Sequence, residues 1–234
     1  MIAGVDQELQ PGFLDQVKPS SSDGLIGSLP NLPLCVELSF GVTGQTIPID
    51  HGYELFSALS HFQAKLHDLG SLSIQTITST HFEDGKLRLT DYSKLRIRLP
   101  VDKVPLVYPL AGKLLTLAGD NVRLGIPDID LLQPARNLYS RMVVIKGYQQ
   151  PETFLEAAQR QLQQLGIKGE ARVSIGAHGS LNRKTLRVRQ YVVVGFGLEV
   201  ADLSDEDSLK LQTCGIGGKR KMGCGIFVAR KIGV

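Results

Sequence analysis

The sequence predicts an α+β fold built from two tandem βαββαβ units with antiparallel sheets, and three observations predict it. Two long stretches, 51–69 and 151–166, carry apolar residues at helical spacing. Short β-branched runs bounded by Gly and Pro flank each of them. The order strand, helix, strand, strand, helix, strand then starts again at about residue 135. Each unit reads as a ferredoxin-like (RRM-like) arrangement, two antiparallel sheets with helices behind them.

The elements follow in order. Residues 1–33 hold turn formers (PGF, KPSSSDG, SLPNLP) and no periodicity, so they read as a flexible amino-terminal extension. The first unit is expected over 34–134. LCVELSFGV (34–42) is a buried strand; Asp50 is placed to cap the helix that follows, with Leu55, Leu59, Phe62, Leu66 and Leu69 on one face and Gly70 stopping it. Strands are expected at 71–79, 85–90, 94–100 and 121–127. Between the last two, VPLVYPLAG reads as a short helix that Pro105 and Pro109 oppose. The second unit is expected over 135–234. SRMVVIKGY (140–148) is a strand, and 151–166 a helix with Pro151 in its first turn, Phe154, Leu155, Ala158, Leu162 and Leu165 inward, and Gly166 at its end. ARVSI, TLRVR and YVVVGFGLEV are strands; SDEDSLKLQTC (204–214) is a helix opened by a capping box of Ser204 with Asp207; GIFVAR (225–230) is the closing strand.

Composition narrows the function classes. With 42% hydrophobic residues in 234, the chain can bury a core, and its longest apolar runs fall far short of the roughly 20 residues that cross a bilayer. No membrane partner is expected, and a cytoplasmic location is. Cys35, Cys214 and Cys224 form no CxxC pair, so neither a disulfide framework nor a zinc site is indicated, and no metal and no cofactor are expected. The net charge of +3 conceals an asymmetry: residues 1–33 carry Asp6, Glu8, Asp15 and Asp23 against Lys18, a net of −3 that leaves +6 on the rest. Those cations come in three groups, at 86–98, at 183–189, and in the glycine-rich tail with Arg230 and Lys231. Alternation along a strand sets such cations on one face, which suits a phosphate backbone lying across a sheet, or an ordinary solvated face.

The third group centres on GIGGKRKMGCG (215–225). A Rossmann fingerprint needs G-x-G-x-x-G between a strand and a helix, but counting from Gly215 and Gly217 the third glycine position holds Arg220. A P-loop needs Ser or Thr after Gly-Lys, and Gly218-Lys219 is followed by Arg. The stretch also lies after a helix and before a strand. What remains is a bare backbone able to approach a polyanion, with Lys219, Arg220 and Lys221 supplying charge and Gly215, Gly217, Gly218 and Gly223 supplying the close approach, or else a glycine-rich hairpin whose cations are merely solvated.

The segments IPIDHGYELFSALSHF and GIGGKRKMGCGIFVAR resemble the CRISPR RNA-processing endoribonucleases, repeat-associated RNA-binding proteins with a carboxy-terminal glycine-rich loop, and in particular a small branch found in type I systems. The resemblance covers roughly 34–230. It implies that the loop contacts CRISPR repeat RNA, often a small hairpin, that other CRISPR effector subunits are partners, and that a histidine near the first helix serves in metal-independent cleavage. The implied reaction is attack of a ribose 2′-hydroxyl on the adjacent phosphate, leaving a 2′,3′-cyclic phosphate and a 5′-hydroxyl. Two other classes stay open: a non-catalytic RNA-binding subunit of a CRISPR effector complex, and a protein-interaction module with no RNA role.

Among five histidines, His51 is the first choice for the acid/base role. It follows Asp50 at the helix start, where free N–H groups and the positive dipole end favour an anion. Tyr53 is placed to orient the substrate or donate a hydrogen bond, or to pack at a domain edge. His67, at the end of the same helix, is the alternative, or else merely complements the helix carboxyl end. His61 shares a face with Glu54 and Lys65 and reads as solvated; His81 and His178 fall in loops. Arg183, Lys184, Arg187 and Arg189 are expected to meet the RNA stem.

Overall fold

The computed structural model describes residues 33–79, 81–176 and 179–229. All of the expected extension over 1–33 except residue 33, together with His178, Arg230 and Lys231, lies outside the described residues. The first half contains β1 (Cys35–Thr43), β2 (Thr46–Pro48), α1 (Gly52–Phe62), β3 (Ser73–Ile74), β4 (Phe82–Glu83), β5 (Lys86–Arg88), β6 (Lys94–Pro100), α2 (Val104–Val107), β7 (Leu114–Leu117) and β8 (Asp120–Leu131). The second contains β9 (Leu138–Val143), α3 (Pro151–Gln164), β10 (Glu170–Val173), β11 (Arg183–Val188), β12 (Tyr191–Ala201), α4 (Asp205–Cys214) and β13 (Val228–Ala229). Among the described residues, no helix is long and apolar enough to cross a membrane.

The first sheet runs β3-β6-β1-β8-β7 and the second β10-β12-β9-β13, with β11 also paired to β12; β2, β5 and β4 form a small third sheet. If β1, β3, β6 and β8 are numbered as the four main strands of one half, and β9, β10, β12 and β13 as those of the other, both sheets read 2-3-1-4, all pairs antiparallel. This is the ferredoxin-like order, twice. Each half gathers its own apolar cluster. One joins Leu38, Phe40, Leu55, Leu59 and Ile97, and the other Phe154, Leu162, Phe196, Leu198 and Phe227. A third, smaller cluster of Met142, Val144, Leu186 and Cys224 takes in Met222 of the glycine-rich loop, which also packs on the first-half cluster. Burying one such side chain is worth about 1.5–3 kcal/mol, so the sheet faces fix where the loops stand.

Local chemistry explains several boundaries. Ser204 caps α4, its side chain accepting from the Asp207 N–H at 3.1 Å. Gly166 takes φ +67° just past α3, as a helix stop requires. Other expectations are corrected. Asp50 is not the cap of α1: His51 occupies that position, and the Asp50 carboxylate instead accepts the Arg187 N–H at 2.7 Å. The helix ends at Phe62 and not at Gly70, because Gln63 leaves helical geometry (φ −141°, ψ 86°) and its side chain donates to the Leu106 carbonyl at 3.3 Å; a 3-10 turn, Ala64–His67, follows. The strand expected over 71–79 shrinks to Ser73–Ile74, and that expected over 225–230 to Val228–Ala229.

Candidate functional site

The glycine-rich loop is tightly folded rather than bare. The N–H groups of its glycines are spent inside the protein: Gly217 donates to Gln161 Oε1 at 2.7 Å, Gly218 to the Val144 carbonyl at 2.8 Å, and Gly225 to the Met142 carbonyl at 2.8 Å. A Cβ at Gly215 would lie 2.2 Å from the Gly225 carbonyl oxygen, and one at Gly225 would lie 2.2 Å from that of Ile216, so the two arms of the loop touch at a distance only glycine permits. The role expected of Gly215, Gly217 and Gly223 is thereby corrected, since Gly217 packs on Val144 and Gly223 on Thr76. Gly218 and Lys219 are the exposed stretch of the loop.

The three loop cations separate. The Arg220 guanidinium donates to the Cys214 carbonyl at 2.6 Å, the Thr213 carbonyl at 3.4 Å and the Gly70 carbonyl at 2.6 Å. It therefore caps the negative end of α4 and fastens it to the first half, so both terminal nitrogens of the guanidinium are already engaged within the protein. Lys221 donates to the His67 carbonyl, and its ammonium lies 5.7 Å from the centre of the Phe56 ring. Burial lowers its pKa, against the nearby Asp68, which raises it. Lys219, in left-handed backbone at φ +64°, projects from the exposed turn.

The two histidine candidates stand at opposite ends of the same helical segment, in opposite states. His51 is 1% exposed. Its Nδ1 meets the Pro48 carbonyl at 2.8 Å, and its Nε2 accepts the Ile77 N–H at 3.0 Å. Those partners require the neutral imidazole protonated on Nδ1. Burial pushes its pKa below the ordinary histidine value, the bond to Pro48 opposing this. With both nitrogens taken, the imidazole has none left for a phosphate in this arrangement, and His51 is a clip between the end of β2 and residue 77. His67 closes the 3-10 turn, exposed, with its ring edge-to-face on Phe56 at 4.9 Å. Phe56, Gly70, Leu72 and residues 219–222 line an open depression of about 220 Å³ beside it. Phe56, 6% exposed, is the part that sequence reasoning missed, because at helical spacing it reads as core; it also shapes the platform on which His67 and Lys221 meet.

Tyr53 belongs to the other end of α1. Its hydroxyl accepts from Arg189 Nε at 2.9 Å, so the structure joins it to the β11 turn and not to His67. On β11, Arg183 and Arg187 are exposed on one face, while Lys184 is half-buried on the other; burial and Arg141 lower its pKa. Arg141, another residue the sequence did not single out, sits close enough to act on both Lys184 and His51, and its Nε is buried without a hydrogen-bond partner.

Pairing sorts the cation groups. In the 86–98 group every cation holds a carboxylate: Lys86 with Asp120 (2.9 Å), Arg88 with Glu83 (3.2 Å), Lys94 with Asp128 (3.3 Å), and Arg96 and Arg98 with Glu37 (3.6 and 2.8 Å). Arg98 is not on an open sheet face at all. It is 3% exposed and donates to the carbonyls of Gln212 (2.7 Å) and Phe227 (2.9 Å), the two stems of the glycine-rich loop. Among the described residues, Arg183, Lys184, Arg187, Arg189, Lys219, Arg220 and Lys221 form no ion pair. All three cysteines are pushed up by burial, Cys224 to about 11, which keeps them as thiols near neutral pH. Among the described residues, no three His, Cys, Asp or Glu side chains gather as metal ligands.

Comparison with known proteins gives concordant likenesses. The family model described as Cas6 Crispr matches residues 36–232. A Myxococcus xanthus (strain DK1622) protein named CRISPR-associated endonuclease Cas6 is 36% identical over 201 residues, covering 85% of this chain and 83% of that protein. Among solved structures, a CRISPR associated protein Cas6 superposes with a TM-score of 0.61 at 13% identity, over 86% of this chain and 100% of that one. A Cas6-related protein from Pyrococcus furiosus gives 0.57 at 16% identity, over 86% and 100%. At such identities these two structures bear on the fold.

Proposed function

The chain belongs to the Cas6 family, and from that premise we propose that it is an endoribonuclease that binds CRISPR repeat RNA and cuts precursor CRISPR RNA without a metal ion, with His67 in the acid/base role. The observation that carries the assignment is the contrast between the histidines: His67 is exposed beside Lys221 and Phe56, whereas His51 is buried with both ring nitrogens engaged.

In the proposed reaction the 2′-oxygen attacks phosphorus, the bond to the 5′-oxygen breaks, one proton leaves the 2′-hydroxyl and one reaches the departing 5′-oxygen. The products are a 2′,3′-cyclic phosphate and a 5′-hydroxyl. His67 handles one of these protons, and Lys221 and Lys219 supply positive charge to the phosphate oxygens. Arg183 and Arg187, unpaired on the exposed face of β11, hold the RNA stem, and Tyr53 steadies Arg189 beside them. The RNA in this reading is a repeat hairpin. Other CRISPR effector subunits are further partners, and residues 34–134 and 135–234 act as two domains that meet at the loop.

The test is labelled repeat RNA incubated in EDTA. The wild type is expected to leave a 2′,3′-cyclic phosphate, and His67→Ala to lose about 10²- to 10⁴-fold in rate while binding is kept. Full activity in His67→Ala would sink the assignment. Steeply salt-dependent binding with no cleavage by the wild type would make the chain a non-catalytic RNA-binding subunit.

A further inference from the structure

Strand β12 has a free edge beside the loop. β9 ends at Val143, opposite Phe196, and the chain then leaves the sheet, Val144 forming its bridge with Gly218 instead. Residues 191–195 of β12 therefore keep β11 on one side and, among the described residues, have no strand on the other. The ladder tells which backbone groups face that side. The Arg187 N–H donates to Asp50, so Arg187 turns its backbone away from β12, and its partner Val192 must turn its own N–H and C=O away from β11. Val194, two residues on, does the same. These groups open onto a groove of about 410 Å³ whose lining includes Val144, Lys146, Val192, Val194, Gly218 and Lys219, with no carboxylate. Val192 is 60% exposed.

Lys219 lines this groove and also the depression beside Phe56 and Lys221. The two recesses share a wall, and the shared residue is an exposed cation. Resting on the RNA-cleavage reading above, we propose that the groove is a nucleotide subsite, taking an unpaired nucleotide that flanks the scissile phosphate. The base lies between Val192 and the 144–146 segment, the free backbone groups of Val192 and Val194 read its Watson–Crick edge, and Lys219 and Lys146 hold its phosphate. Apolar walls suit the face of a base, adjacent donors and acceptors suit its edge, and lysines suit the charge. A protein strand would also fit a free edge, but it would gain nothing from the cation shared with the cleavage site; it is the rival occupant.

The experiment uses the full chain, the variants Val192→Glu and Lys146→Glu, both at exposed positions, and repeat RNAs carrying a single abasic nucleotide at each position near the cut. With the wild type, one flanking abasic position is expected to lower kcat/KM by about tenfold. Val192→Glu is expected to lower cleavage of intact RNA by a similar factor and to lower that of the abasic RNA by less, because the apolar wall it removes has no base left to hold while its charge still meets the phosphate. The proposal is overturned if the wild type cuts every abasic RNA like the intact one, or if Val192→Glu and Lys146→Glu bind and cut intact RNA like the wild type; the latter result leaves a protein strand as the occupant. If the wild type binds but does not cut, the same comparison read in Kd decides the groove, so this inference and the cleavage reading fail separately.

Discussion

Both halves of the molecule carry grouped cations, and they use them in opposite ways. In the first half each of Lys86, Arg88, Lys94, Arg96 and Arg98 is matched by a carboxylate. In the second, Arg183, Lys184, Arg187, Arg189 and the loop cations have none among the described residues. A paired cation has already spent its field on a neighbour, whereas an exposed unpaired one, such as Arg183, Arg187 or Lys219, is available to a phosphate. The lesson is that a basic stretch identifies a nucleic-acid surface only once its counter-ions have been located.

The largest expected effect falls on the paired side. Arg98→Gln leaves Glu37 short of its buried partner and cuts both loop stems loose, so denaturant unfolding should show a loss of about 3–5 kcal/mol. Replacing Arg98 and Glu37 together with Met and Leu should recover only the part owed to the stranded Glu37, because Met still leaves the Gln212 and Phe227 carbonyls without a donor. If Arg98→Gln were as stable as the wild type and merely weakened RNA binding, the division between the halves would collapse. Next in size, Arg183→Ala with Arg187→Ala should leave unfolding unchanged and reduce the salt slope of RNA binding by about 1 for each phosphate no longer neutralised. Lys94→Ala, its carboxylate-paired counterpart in the first half, should not alter that slope.

A smaller effect follows from His51. Burial holds its pKa below the ordinary value in the folded state, so between the two values the unfolded chain binds more protons. Its contribution is full above about pH 6.5 and is lost as the pH falls towards the folded value. Thermal unfolding from pH 7.5 down to 5 should show falling Tm in the wild type and a flatter profile in His51→Asn. An equally steep profile in the variant would assign the acid sensitivity elsewhere.

How much of this was legible in the sequence depended on how local its cause was. Strand β6 is read at its observed bounds, and α3 and α4 to within two residues at each end, because periodicity, Pro151, Ser204 and Gly166 are signals carried by the segment itself. β7 escaped, since its hairpin with β8 turns through Ala118 (φ 50°) and Gly119 (φ 96°), and Ala at the first position hides a turn that Asn or Asp would announce. The site was legible as a loop and a choice of histidines, and no further. What occupies His51 Nε2 is a backbone N–H at Ile77, and what holds Arg98 away from the surface is a pair of carbonyls more than a hundred residues away. Helical spacing gives no warning of either.

Lys219 stands in left-handed backbone at φ +64°, flanked along the loop by Gly215, Gly217, Gly223 and Gly225, which adopt the same sign of φ. A glycine there would relieve roughly 1 kcal/mol of strain. The loop thus forgoes a stabilising substitution to keep one ammonium in place, and Lys219→Gly should yield a protein that melts slightly later and holds RNA less well. On the proposed reading, durability and grip are traded against each other at this position through a single side chain.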